Sequence, residues 1–180
     1  MSLPLNRGGV SLLSVDQMYE ADHLVVSDGT PSIKLMENAC QAVVAEIRSR
    51  WSPRPTLVLC GPGNNGGDGL GVATLLREAR WPVEVALLRS SDAFSGDGAI
   101  MAQRWGGPYV DFDPKQLDEV SLVVDALFGA GLSGPVEGCA RKMLHAAAVY
   151  GLEIIAVDVP SGLDGNTGEI LGFAAISSVT

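Results

Sequence analysis

Residues Thr56-Leu57-Val58-Leu59-Cys60, running on into Gly61-Pro62-Gly63-Asn64-Asn65-Gly66-Gly67-Asp68-Gly69, decide the fold of this chain. The first five are an apolar run of strand character. The next nine hold five glycines, two asparagines and an aspartate, and a helical apolar pattern follows from Leu70 to Ala79. Glycine at that density disfavours a helix or strand interior, so residues 61–68 read as a loop. Backbone amides in such a loop approach a ligand closely. Between a strand and a helix they also lie beside a helix N-terminus, which suits phosphate, pyrophosphate or a hydrated cation.

Outward from this stretch the pattern alternates. Strands are expected over 56–60, 83–88, 122–125 and 153–158, with a short one near Tyr109-Val110. Helices are expected over 67–80, 93–105 and 135–150. Leu57-Val58-Leu59, Leu122-Val123-Val124 and Ile154-Ile155-Ala156-Val157 are continuous apolar runs, as in parallel strands covered on both faces. Alternating units of this kind give an α/β fold, a Rossmann-like three-layer αβα sandwich with a mostly parallel central sheet. Two extra helices precede it. Ser14 and Gln17 have capping-box spacing for the first, and Thr30-Pro31 opens the second, with Pro31 at the first helical position. The chain is read as a single domain over 1–180. Its tail, apolar over 170–176, shows no closing helix and reads as C-terminally shortened.

Composition narrows the function classes. The 180 residues suit one domain with a full core, and the net charge of −9 argues against a nucleic-acid or anionic-membrane surface. Cys40, Cys60 and Cys139 are widely spaced and odd in number, without a CxxC pair, so neither a disulfide framework nor a zinc site is indicated. His23 and His145 fall in separate helical patterns and read as structural or surface residues. No apolar run approaches a membrane span and no signal-peptide pattern opens the chain. A reduced, cytoplasmic protein is expected. Met1-Ser2-Leu3 has the look of an expression scar.

Three strands end in loops rich in glycine, aspartate and hydroxyl or amide groups. They cover residues 61–68, 125–135 and 158–164. In an open parallel sheet all strand C-termini lie along one edge, where ligands bind, so the three loops should share one pocket. Asn65, Asp125 and Ser161 offer one carboxylate among neutral oxygens. That set suits a hard cation, with a leaning toward a monovalent one and Mg²⁺ as the alternative. Asp68 and Asp158 are candidate acid–base groups. A helix starting at Pro135, behind Ser133 and Gly134, would present a second positive end to the pocket. The bland readings are strand-end turn residues for Asp125 and Asp158, helix-start preference for Asp68, and a plain turn for 165–168. Gly61 to Gly66 also fits GxGxxG, but the second strand ends Leu87-Leu88-Arg89 rather than in an acid. The Walker lysine and a GxSxG elbow are absent.

Together these residues resemble the YjeF N-terminal domain family, the NAD(P)H-hydrate epimerases. The similarity spans Leu35-Met36-Glu37-Asn38-Ala39, the 61–69 loop, the 125–131 loop and Asp158-Val159-Pro160-Ser161-Gly162. It implies an isomerase of cofactor repair that interconverts the R and S epimers of hydrated NADH and NADPH. It implies substrate contacts at Asn64, Asn65, Gly66, Gly67 and Asp68, and at Gly129, Ala130, Gly131, Leu132, Ser133, Gly134 and Pro135. Asp158 would meet the hydrated nicotinamide and is the expected catalytic acid–base group. Asn65, Asp125 and Ser161 would bind one potassium ion (K+). A homodimer is expected, with an NAD(P)HX dehydratase as functional partner and, in many bacteria, as a fused domain that this chain lacks. Cys40 stands where the family usually has glycine, which should tighten helix packing near the site. The competing readings are a non-catalytic nucleotide-ligand or protein-interaction module on the same fold, and an NADP-dependent oxidoreductase.

Overall fold

A computed structural model describes residues 13–180. Two helices lead, α1 (Val15–Ser27) and α2 (Ser32–Arg50), and the alternating part follows. It runs β1 (Thr56–Cys60), α3 (Asn64–Glu78), β2 (Val83–Leu87), α4 (Gly96–Trp105), β3 (Leu122–Ala126), α5 (Gly138–Val149) and β4 (Glu153–Ala156). The four strands pair in parallel in the order β2-β1-β3-β4. That is the expected α/β architecture.

Side-chain alternation builds the two cores. Val58, Cys60, Val124 and Ala126 point to the layer of α2, α3 and α4, where they meet Val44, Ile47, Leu70 and Leu76. Leu57, Leu59 and Val123 point to the other layer and pack on Met143 and Leu144 of α5. β1 and β3 are buried along their whole length, which is why they read as unbroken apolar runs.

Several boundaries differ from the sequence reading. α3 begins at Asn64, so only Gly61 to Gly63 is loop, and the remaining glycines lie inside the helix. Their role is close packing rather than flexibility. A Cβ on Gly66 would collide with the Gly61 carbonyl, and one on Gly69 would stand 2.6 Å from the Ala126 methyl. Pro31 caps α2 from outside, and Ser32 is its first helical residue. Residues 91–93 form a 3₁₀ turn before α4, and Val110 makes a single bridge to Ala86 instead of a strand.

The expected helix at Pro135 does not start there. The Val136 N–H donates to the Leu171 carbonyl at 2.9 Å, which holds 135–137 outside the helix, and α5 begins at Gly138. No second helix end therefore stands behind Ser133 and Gly134. β4 stops at Ala156, two residues before Asp158. The tail forms no helix; Phe173 and Ala175 pack into the α5-side core, and Val179 bridges Ile155 in parallel. The Ser14–Gln17 capping box forms as expected. Residues 1–3 lie outside the described residues.

The helix glycines set up a direct test. Gly66→Ala should destabilise the protein by roughly 1–3 kcal/mol or more, the usual cost of overpacking. Gly63→Ala, where an added Cβ meets nothing within 4 Å, should leave the urea midpoint close to that of the wild type.

Candidate active site

The C-terminal ends of β1, β3 and β4 open into one cleft of about 840 Å³. Asn64, Asn65 and Asp68 reach it from the first turns of α3, Gly129 to Ser133 from the loop after β3, and Asp158 from the loop after β4. Gly66 and Gly67 are buried inside α3, and Gly134 and Pro135 lie outside the lining. No side chain caps α3, so its first-turn N–H groups are free for a ligand. Asp68 sits in the second turn, one helical turn beyond Asn65, and not at the helix start.

Asp158 is held under strain. Its φ is 70°, in the left-handed region that residues with a Cβ avoid. Its Oδ2 accepts from the Ala130 N–H at 2.7 Å. A Cβ on Gly129 would lie 2.5 Å from that oxygen, so only glycine leaves room for the carboxylate. The backbone of one loop thus aims the side chain of another.

Beneath the cleft, Asp125 and Ser161 are fully buried and joined. Asp125 accepts from the Ser161 hydroxyl at 2.6 Å, the Ser161 N–H at 2.9 Å and the Leu127 N–H at 3.3 Å. The Ser161 hydroxyl in turn accepts from the Phe128 N–H at 2.9 Å. Burial pushes the Asp125 carboxyl up from its ordinary value, and the hydrogen bonds from Ser161 and Leu127 pull it back in part. The Asn65 amide lies between the Val157 carbonyl at 3.1 Å and the Gly129 N–H at 3.3 Å, with its nitrogen toward Val157 in the orientation that satisfies both. Asn65 therefore touches the segments that follow β3 and β4, above the contact of Asp125 with Ser161.

The residues from 32 to 180 match the family described as YjeF-related protein N-terminus. The chain belongs to this family. It is 36% identical over 165 residues to the NAD(P)H-hydrate epimerase of Rhodobacter capsulatus, covering 85% of this chain and 77% of that one. It is 33% identical over 172 residues to the NAD(P)H-hydrate epimerase of Limosilactobacillus fermentum, covering 93% and 83%. It is also 38% identical over 157 residues to the bifunctional NAD(P)H-hydrate repair enzyme Nnr of Thermofilum pendens, and there it spans 81% of this chain but 30% of that one. The crystal structure of yeast ynu0, YNL200c, shares the fold at a TM-score of 0.76 and 22% identity, over 94% of this chain and 79% of that one.

In this YjeF-family domain, Cys40 is buried between α2 and α3. Its thiol donates to the Asp68 carbonyl at 3.3 Å and lies against Gly71, which links α2 to α3. Burial, with the Asp68 charge as a smaller contribution, pushes this thiol up to about 12. The other wall of the cleft was not legible from motifs. Val15, Met18, Tyr19 and Asp22 of α1, Ala39 and Val43 of α2, and Gly165 all line it. Residues 165–168, read as a plain turn, carry Asn166, whose Oδ1 accepts from the Val15 N–H at 2.9 Å. The only hint in the sequence was the helical spacing of Val15, Met18, Tyr19 and Asp22.

Asp68 is the strongly perturbed carboxyl among the cleft residues. Burial, then the negative charge of Asp158, pushes its pKa up to about 7. The folded protein therefore binds this proton more tightly than the unfolded chain does. The cost of ionising Asp68 is absent below about pH 4, grows as the pH rises, and is complete above about pH 7. Asp68→Asn should thus match the wild type near pH 4 and be more stable at pH 8, by on the order of a few kcal/mol. Denaturant titrations of both proteins across that range check it.

Proposed function

We propose that this protein is an NAD(P)H-hydrate epimerase, interconverting the R and S forms of hydrated NADH and NADPH. One observation carries this reading: two carboxylic side chains, Asp68 and Asp158, share a cleft with the free amides of α3 and the glycine loop over 129–131. Its volume falls within the usual range for small-molecule and cofactor sites. Amide donors suit a pyrophosphate, and the carboxyl pair suits proton traffic at a hydroxyl-bearing carbon.

The substrate ring carries a hydroxyl at C6 next to N1. Epimerisation breaks the C6–O bond and remakes it on the opposite face. A carboxylic acid donates its proton to the hydroxyl; water leaves with the bonding pair, and the N1 lone pair forms a double bond to C6. Water then adds from the other face, N1 recovers its lone pair, and the carboxylate takes the proton back. Asp158, aimed by the Ala130 N–H, is the group against the ring. Asp68, whose carboxyl burial and the Asp158 charge push up to about 7, is the second acid–base group of the same cleft. The reaction involves no net redox change, which separates it from the oxidoreductase reading.

Asn65, Asp125 and Ser161 would hold a potassium ion. The fit rests on the Asp125 carboxylate, buried without a cationic side chain bridged to it among the described residues, and on the neutral oxygens around it. The ion would supply positive charge that offsets this buried anion and stiffens the joined loops.

Chromatography of purified R-NADHX with and without the protein tests the activity; no acceleration toward the S form overturns it. Asp158→Asn is expected to cost at least a hundredfold in kcat, and full activity in that variant would remove Asp158 from the mechanism. Potassium chloride should raise the melting temperature above that in tetramethylammonium chloride at equal ionic strength. Asp125→Asn should abolish the difference, as read by differential scanning fluorimetry.

A further inference from the structure

We propose that Tyr19 is a substrate-contacting residue, its ring forming the wall on which the nicotinamide end of the dinucleotide packs. The inference rests on the epimerase reading for the identity of the ligand. α1 buries none of its residues, yet Val15, Met18, Tyr19 and Asp22, which share one helix face, line the cleft. An amphipathic helix normally turns its apolar face to a core. This one turns it to an open cavity, and Tyr19 remains 58% exposed. The α1 part of the wall lies before residue 32, where the family match begins.

The position of Tyr19 along the cleft is fixed by the glycine loop. Its hydroxyl lies against Gly131, where any Cβ would collide with it. Two residues back, Gly129 makes the same allowance for the Asp158 carboxylate. Residues 129–132 form one turn, closed by the Leu132 N–H donating to the Gly129 carbonyl at 3.1 Å. Tyr19 and Asp158 therefore stand against two glycines of the same turn, and both line the cleft beside it. The acid–base group stands at one end and an aromatic ring at the other. A tyrosine ring offers a large apolar face with two side-chain torsions to fix, which suits a neutral, partly saturated ring.

α1 is held in this position from its N-terminal end. The Val15 N–H donates to Asn166, and the Val15 side chain meets Gly165, which itself packs on Ala130. The turn over 165–168 thereby sets where Tyr19 stands relative to the 129–131 loop.

Equilibrium titration with NADHX, together with steady-state epimerase kinetics, tests the proposal on Tyr19→Ala, Tyr19→Phe and Leu24→Ala. Leu24 is an exposed α1 residue away from the cleft. Tyr19→Ala should weaken NADHX binding and raise KM about tenfold, with an unchanged melting temperature. Tyr19→Phe should keep most of the affinity, since the ring remains, and Leu24→Ala should behave as wild type. Wild-type affinity in Tyr19→Ala overturns the proposal, as does equal weakening in Tyr19→Ala and Leu24→Ala, which would mark α1 as structural only. A wild type that binds NADHX without epimerising it overturns the functional reading and leaves the affinity comparison to decide Tyr19. A wild type that does not bind NADHX overturns both.

Discussion

The buried pair Asp125–Ser161 is the contact on which the site depends. Asp125 ties the end of β3, and Phe128 the loop after it, to Ser161 in the loop after β4, at a point solvent does not reach. A carboxylate in that position carries a large desolvation cost, which its donors offset only in part. Removing one partner would leave a buried charge without its hydrogen bonds. The strands supply the frame, since the Val157 N–H donates to the Asp125 carbonyl just past the end of β4. Once the two loops are joined below, the backbone above is set, and the Ala130 N–H can aim Asp158.

Strain in the site follows from this joining. Asp158 adopts a φ of 70° because the chain must leave β4 and turn so that Ser161 reaches Asp125. The same turn swings the Asp158 carboxylate over Gly129. Strained residues persist only where their surroundings over-determine them, and here the determinants are a buried hydrogen-bond group and a glycine with no room for a methyl. The orientation of the Asp158 carboxylate is therefore set by the Gly129–Ala130 backbone and by the buried contact below it.

The alternating strands and helices were legible because β1 and β3 are buried on both faces while α4 and α5 bury one face only. The convergence of three loops was legible because parallel strands share one C-terminal edge. The interior of the first loop was misread for a physical reason. Glycine is read as a helix breaker from its backbone entropy, yet Gly66 and Gly69 are in a helix because nothing larger fits between α3 and its neighbours. The start of α5 was misread because proline at a helix start is a local preference, and the contact of Val136 with Leu171 overrides it. The α1 wall was legible as a helix but not as part of the site. Its residues are ordinary amphipathic-helix residues, and only tertiary placement turns Tyr19 toward a cleft.

The charge on the cleft has a kinetic consequence. Its lining includes Asp22, Asp68 and Asp158 and, among the described residues, no lysine, arginine or histidine. The chain as a whole carries −9. An anionic ligand is thus repelled during approach and held only after arrival, by amide dipoles acting at hydrogen-bond range. Salt shortens the reach of the repulsion to about 10 Å at 0.1 M and leaves the short-range contacts nearly intact. Capture of a dinucleotide by this protein is therefore a process that salt speeds, the reverse of a site built from basic side chains.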